Sequence, residues 1–255
     1  NGTNYLVVLG TTAEAATLSA AEKQEVIKHV IKINNKRLPL VLGIGGNNTL
    51  EVKKQIEEAD LTDFDAVLSV SPYYNKPNQE GLYQHYKMLA STGKQIIIYN
   101  VPGRTGQNIE ASTTLRLANE FPNLFMIKEA APNILQYFDI LRKKPANFSL
   151  VSGDDEYTLP VTLAGGDGVI SVIGQGYPKE FSTMVQLAFE GKVKEAYEIH
   201  NKLVEITRLI FAEGNPAGIK TVLAELGIVK NFVRLPLVVA SEGLQHKIKA
   251  EMNKI

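Results

Sequence analysis

Short apolar runs alternate with amphipathic stretches through the first two thirds of the chain, and only amphipathic stretches follow. The runs lie at residues 5–9, 39–43, 66–70, 95–100, 123–130, 148–153 and 168–173. Each is short, rich in Val, Ile and Leu, and bounded by turn residues, the pattern of a strand buried on both faces in a parallel sheet. The stretches between them predict helices at residues 19–33, 49–58, 79–91, 111–120 and 133–141, and a short one opened by Asp154 and Asp155. Ser19 with Glu22 three residues on is a capping box. From Lys179 onward every pattern is helical, at residues 180–190, 192–212, 217–226 and 237–253, with Gly191, Gly214 and Gly227 as stops.

Strict alternation of strand and helix implies a parallel sheet with right-handed crossovers. Eight such units close a barrel, whereas seven would leave two apolar edges open. The expected fold is therefore α/β, a TIM (β/α)8 barrel with its first βα unit missing from this sequence. The barrel is assigned to residues 1–190 and a C-terminal helical domain to residues 191–255. An open doubly wound sheet is the alternative. It is disfavoured because no Gly-x-Gly-x-x-Gly turn follows any of the strands.

Composition narrows the function classes. Lys plus Arg and Asp plus Glu both total 27, so no basic field exists to hold nucleic acid. No apolar run approaches the roughly 18 residues of a membrane span. The chain has no cysteine, which removes disulfides, thiolate nucleophiles and zinc–cysteine sites. Its four histidines (His29, His85, His200 and His246) fall in helical patterns without metal-ligand spacing and are read as surface or packing residues. Neither metal nor cofactor is expected.

In a barrel the chemistry sits at the carboxyl ends of the strands. Thr11 and Thr12, Tyr73 and Tyr74, Tyr99 with Asn100 and Arg104, Lys128, Gly153 with Asp154, and Ile170 with Ser171 occupy those ends. Lys128 closes the run Leu124-Phe125-Met126-Ile127. A lysine at the end of a buried strand is costly to keep charged, and a neutral lysine amine attacks ketones to form Schiff bases. That chemistry needs a group to shuttle protons through the carbinolamine. Tyr99 ends the preceding strand and is placed for it, with Thr11 and a second tyrosine as hydrogen-bonding partners. Arg104 offers a bidentate partner for the carboxylate of a keto acid. The Gly10-Thr11-Thr12 amides could hold a further carboxylate. Taken singly, Lys128 reads as a solvated strand end, Tyr99 as packing, Arg104 as a surface residue and the Tyr73-Tyr74 pair as an interface patch. Asp154 reads as a helix cap and Glu129 as structural or solvated.

Five motifs together carry a resemblance: Gly10-Thr11-Thr12-Ala13-Glu14, Ser71-Pro72-Tyr73-Tyr74-Asn75-Lys76-Pro77, Tyr99-Asn100-Val101-Pro102-Gly103-Arg104-Thr105-Gly106, Ile127-Lys128-Glu129-Ala130 and Gly168-Val169-Ile170-Ser171. The chain resembles the dihydrodipicolinate synthase family of pyruvate-dependent class I aldolases over nearly its whole length. The resemblance implies a lyase that condenses pyruvate with L-aspartate 4-semialdehyde in lysine and diaminopimelate synthesis, in the cytoplasm, as a homotetramer built from two tight dimers. It implies Lys128 as the Schiff-base nucleophile, Tyr99 as acid–base, and Thr11 and Tyr74 as relay partners, Tyr74 from a neighbouring subunit. Thr12, Gly153 and Ile170 would line the pyruvate site, and Arg104 would bind the semialdehyde carboxylate. Positions matching the family's lysine-inhibition site are Ala15, Ala16, Ala20, Lys23, Asn47, Glu51 and Tyr73. Histidines often stand in sensitive enzymes where Ala20 and Lys23 stand here, so weak or absent inhibition is expected. A different pyruvate aldolase and a non-catalytic keto-acid-binding protein are the competing readings.

Overall fold

The computed structural model describes all 255 residues. Six strands, β1 (Leu6–Val8), β2 (Leu40–Gly43), β3 (Ala66–Val70), β4 (Ile96–Asn100), β5 (Leu124–Glu129) and β6 (Ser149–Ser152), form one parallel sheet in chain order. The crossovers between them run through α1 (Ala20–Asn34), α2 (Thr49–Glu58), α3 (Gln79–Ala90), α4 (Pro102–Thr105) with α5 (Ala111–Glu120), and α6 (Ile134–Lys143). After β6 come α7 (Thr158–Leu163), α8 (Pro178–Phe189), α9 (Val193–Phe211), α10 (Ala217–Glu225) and α11 (Glu242–Met252). This is the α/β architecture expected from the alternating pattern.

The chain divides into two compact units, one of residues 4–8 and 30–170, the other of residues 1–3, 9–29 and 171–255. In the first unit the sheet has two apolar faces, as a period of two along each strand demands. One carries Val67, Ile96, Ile98, Leu124, Ile127 and Leu150 against helix residues such as Leu82, Tyr86, Leu117, Tyr137 and Ile140. The other carries Val41, Leu68, Ile97 and Tyr99, with Tyr5, Met126 and Ile170 packed on them. Tyr5 closes this face by donating from its hydroxyl to the Val169 carbonyl at 3.2 Å.

The second unit buries Phe181 and Met184 of α8, Ile206 and Ile210 of α9, Ile219 and Val222 of α10, and Ile248 of α11. The predicted capping box forms at the start of α1: Ser19 N–H donates to Glu22 Oε2 at 2.8 Å, and Glu22 N–H to Ser19 Oγ at 3.3 Å.

Three expectations need correction. The seventh strand, residues 168–173, reduces to a single parallel bridge between Ser152 and Val169. Gly168 has φ +129°, which no strand continues through, and Ser171 Oγ accepts from Gly174 N–H as the chain curls into a 3-10 turn at Ile173–Gln175. The last helix begins at Glu242 instead of residue 237, because Ser241 caps it by accepting from Leu244 N–H at 3.2 Å. Asp154 does not open a helix directly: its carboxylate accepts from Glu156 and Tyr157 N–H in a turn, and α7 starts at Thr158. No helix is long and apolar enough to cross a membrane.

Candidate active site

Lys128 is buried, with 8% of its surface exposed, which excludes the solvated strand end. Its register partner across the β4–β5 ladder is Tyr99, itself buried. Strand alternation puts both side chains on the face that holds Ile97 and Met126. The lysine Nζ lies 4.3 Å from the centroid of the Tyr99 ring.

Gly153, at the end of β6, completes this corner. A Cβ on Gly153 would stand 2.9 Å from Lys128 Cε, 3.0 Å from its Cγ and 2.8 Å from Ala130 Cβ. The lysine stem therefore occupies the volume that any larger residue would need. Ile170 packs on the same face as Tyr99 and is fixed by its N–H donating to the Ser152 carbonyl at 2.9 Å. Lys128, Tyr99, Gly153 and Ile170 thus come together in one unit. They form an amine flanked by a phenol ring and an apolar wall at the carboxyl ends of three strands.

Tyr74 and Arg104 belong to the same unit but are exposed. The loop that bears Tyr74 follows β3 and is anchored by Ser71 N–H donating to the Tyr99 carbonyl at 3.0 Å. Asn75 Nδ2 also donates to the Asn47 carbonyl at 2.9 Å. Tyr74 takes a left-handed φ of 72° and leaves 89% of its surface in solvent, an unfavourable state for a non-glycine aromatic residue. Arg104 sits on α4, a single helical turn with Pro102 at its first position and Gly106 as its left-handed stop. The Thr105 hydroxyl bonds the Val101 and Gln107 carbonyls and stiffens that turn.

Thr11 and Thr12 lie in the other unit, in a 3-10 turn at Thr11–Ala13. Thr12 Oγ1 accepts from Asn215 Nδ2 at 2.9 Å. The turn ends at Glu14, whose carboxylate is bound by Lys220 Nζ and by Arg234 N–H, the latter at 2.7 Å. Burial by itself would raise the Glu14 carboxyl, but the Lys220 and Arg234 bonds bring it below the usual carboxylate range. Of the lysine-site positions, Ala15 and Lys23 are half-buried and Ala16 and Ala20 exposed in this unit. Asn47 is half-buried, and Glu51 and Tyr73 are exposed, in the other.

Glu129 was read from sequence as structural or solvated, and it is fully buried. Its carboxylate accepts from Asn100 Nδ2 at 2.8 and 3.0 Å, Gln136 Nε2 at 2.8 Å and Ala131 N–H at 2.7 Å. Burial pushes the carboxyl up to about 7 against the pull of these donors. Asn215 and Gln136 were not singled out; amides become recognisable as site residues only when their partners are known. His85 is buried, its Nδ1 2.9 Å from Thr49 Oγ1, and burial pushes its imidazole down to about 4. No group of three or more His, Asp or Glu side chains could hold a metal ion.

The profile of the "Dihydrodipicolinate synthetase family" matches residues 1–255. The chain is 56% identical over 248 residues to the 4-hydroxy-tetrahydrodipicolinate synthase of Flavobacterium psychrophilum, covering 97% of this chain and 85% of that protein. The solved dihydrodipicolinate synthase of Thermotoga maritima superposes with a TM-score of 0.97 at 38% identity, covering 100% of this chain and 88% of that one. The chloride-inhibited synthase of Acinetobacter baumannii, solved in complex with pyruvate, superposes with a TM-score of 0.95 at 38% identity, covering 99% and 87%. The chain belongs to the dihydrodipicolinate synthetase family.

Proposed function

We propose that Lys128 is the amine through which this chain condenses pyruvate with L-aspartate 4-semialdehyde. The reaction is that of 4-hydroxy-tetrahydrodipicolinate synthase, a lyase of the class I aldolase type serving lysine and diaminopimelate synthesis. The observation that carries the assignment is the buried Lys128 amine stacked on the Tyr99 ring, its stem filling the space left by Gly153.

The proposed steps make use of that geometry. Lys128 Nζ attacks the C2 ketone of pyruvate, and the carbinolamine loses water to give an iminium. Loss of a methyl proton turns the iminium into an enamine, whose carbon attacks the aldehyde. The amino group of the adduct then adds to the iminium carbon, closes the ring and releases the lysine amine. Each transfer needs a proton delivered or removed at the same place, and the Tyr99 hydroxyl is the proposed carrier. Thr11 and Tyr74 are its proposed partners, on their place in the family's motifs. The exposed, left-handed Tyr74 suits a side chain completed by a neighbouring subunit. Thr12 and Ile170 are assigned to pyruvate. Arg104, on its stiff turn, is assigned to the semialdehyde carboxylate.

The finer architecture proposed is a (β/α)8 barrel assigned to residues 1–190 and a helical domain in residues 191–255. Its support is the parallel sheet in chain order and the wholly helical content after Lys192. A homotetramer in the cytoplasm is proposed from the family resemblance.

Borohydride reduction in the presence of pyruvate tests the assignment. A reduced pyruvyl adduct on Lys128, lost in Lys128→Ala, is the expected result. Absence of any adduct would favour a binding protein. An adduct without turnover of aspartate semialdehyde would favour another pyruvate aldolase.

A further inference from the structure

Behind the lysine–tyrosine pair stands a second register pair, Asn100 opposite Glu129, one residue further along the same two strands. Alternation turns these side chains to the opposite face of the sheet, toward α6. There Asn100 Nδ2 bonds both oxygens of the Glu129 carboxylate, linking strand to strand by side chains. Asn100 is held in turn, its Oδ1 accepting from Ile109 N–H at 3.0 Å and its Nδ2 donating to Asn108 Oδ1 at 2.8 Å. Gln136 of α6 grips the other side of the carboxylate while accepting from Asn108 Nδ2 at 2.8 Å. The Glu129 carbonyl receives Tyr137 Oη and Gly153 N–H, both at 2.6 Å.

Apolar side chains would fill this space without the desolvation that a buried carboxylate suffers. What the polar cluster adds is register. Upstream, β4 and β5 pair irregularly: Ile96 faces Leu124 but Ile97 faces Met126, so one strand carries an extra residue. The Ile-rich run of β4 has no side chain that distinguishes one register from another. The first residues able to do so are Asn100 and Glu129, immediately after Tyr99 and Lys128.

We propose that Glu129 is a positioning residue: its carboxylate, clasped by Asn100, Gln136 and the Ala131 N–H, sets the register that holds the Tyr99 phenol against the Lys128 amine. It reaches Gly153 as well, through its carbonyl, so both the Tyr99 side and the Gly153 side of the lysine pocket are tied to one residue. This inference rests on Lys128 being the Schiff-base amine.

Glu129→Gln tests it, because the new amide meets the Asn100 and Gln136 amino groups with a donor where they need an acceptor. Flipping Asn100 would give up its bond from Ile109 N–H. The quantity to measure is turnover per Lys128 trappable with pyruvate and borohydride. All sites should still form the adduct, each turning over about 100-fold more slowly, the usual effect of roughly 1 Å of misplacement. The double variant Asn100→Asp with Glu129→Gln restores an acceptor–donor pair with the charge on the other strand, and should recover part of the loss. If Glu129→Gln does not fold, Gln136→Met takes one donor from the carboxylate, together with the acceptor for Asn108 Nδ2, and should show a smaller fall per trapped site. Fewer trappable sites, each working at the parent rate, would mean that the cluster only stabilises the fold and would overturn the proposal. Unchanged turnover per site in whichever variant folds overturns it too. An unmodified chain that forms no adduct would instead remove the function assigned to Lys128.

Discussion

Tyr99 and Lys128 face each other across two adjacent parallel strands, and the lysine amine rests 4.3 Å from the centre of the tyrosine ring. The ring supports the amine and the hydroxyl is the proposed proton carrier, so the two roles can be separated. Tyr99→Phe keeps the ring and removes only the hydroxyl. Turnover should fall by about 100-fold or more, the scale of a lost acid–base group, while the variant remains folded and still traps pyruvate on Lys128. Steady-state kinetics with a trapping assay check this; full turnover in Tyr99→Phe would assign the proton transfers elsewhere.

Gly153 is constrained by the lysine itself, since an added Cβ would come within 2.9 Å of Lys128 Cε. Gly153→Ala must displace either that stem or the Ala130 side chain. Overpacking of this kind costs about 1–3 kcal/mol of stability. The larger consequence is for the amine, because about 1 Å of displacement can cost roughly 100-fold in rate. Kinetics and thermal unfolding of Gly153→Ala should therefore show a large loss of kcat/KM with a modest loss of stability. The reverse pattern would show that the close approach matters to packing alone.

Lys128 and Tyr99 were legible because an apolar strand that ends in a polar side chain announces itself in a linear sequence. The reason for Gly153 was not, since it is a distance between β5 and β6. For Glu129 the choice between structural and solvated was left open for a related cause, and the structural reading holds. A period of two puts it on the face opposite Lys128, but only the placement of α6 and of Asn108 decides whether that face meets water. The seventh run failed differently: Val169, Ile170, Val172 and Ile173 have strand composition, yet Gly168 and the Ser171 turn stop the ladder after one bridge. Composition reports preference, whereas pairing depends on the backbone on either side.

In the unit holding the threonine turn, Glu14 ties residues 11–14 to α10 through Lys220 and to the Arg234 backbone. Its side chain is 8% exposed. Lys220→Met leaves that carboxylate with one partner fewer and should destabilise the protein by about 2 kcal/mol, within the range for an unsatisfied buried group. Arg142→Ala breaks an ion pair to Asp139 in which both side chains are at least half exposed, and should cost less than about 1 kcal/mol. Denaturant unfolding of the two variants side by side gives the comparison; equal effects would show that the Glu14 tie is no stronger than a surface pair.

Inhibition by lysine should be weak. Lys23, at a position matching the family's lysine site, brings a second cation toward an amino acid that is itself cationic, and like charges repel. Half-inhibition at submillimolar lysine would contradict this, and Lys23→His should then leave sensitivity unchanged rather than increase it.

Glu129 also makes a prediction about pH. Its carboxyl is pushed up by burial to about 7 from an ordinary value of 4.5. Between those values the unfolded chain is ionised at this position while the folded chain holds a proton, so the folded state binds more protons. Stability from this group is then fully present below about 4.5, declines as pH rises and is lost once pH passes about 7. The whole change is of order 3 kcal/mol by the conversion of about 1.4 kcal/mol for each pH unit. Glu129→Gln has no such proton to bind. The stability difference between the parent chain and this variant should therefore move against the parent from pH 4.5 to 7 and level off above it. A difference that stays flat over that range would mean that the donors from Asn100, Gln136 and Ala131 hold the carboxylate ionised throughout, overcoming its burial.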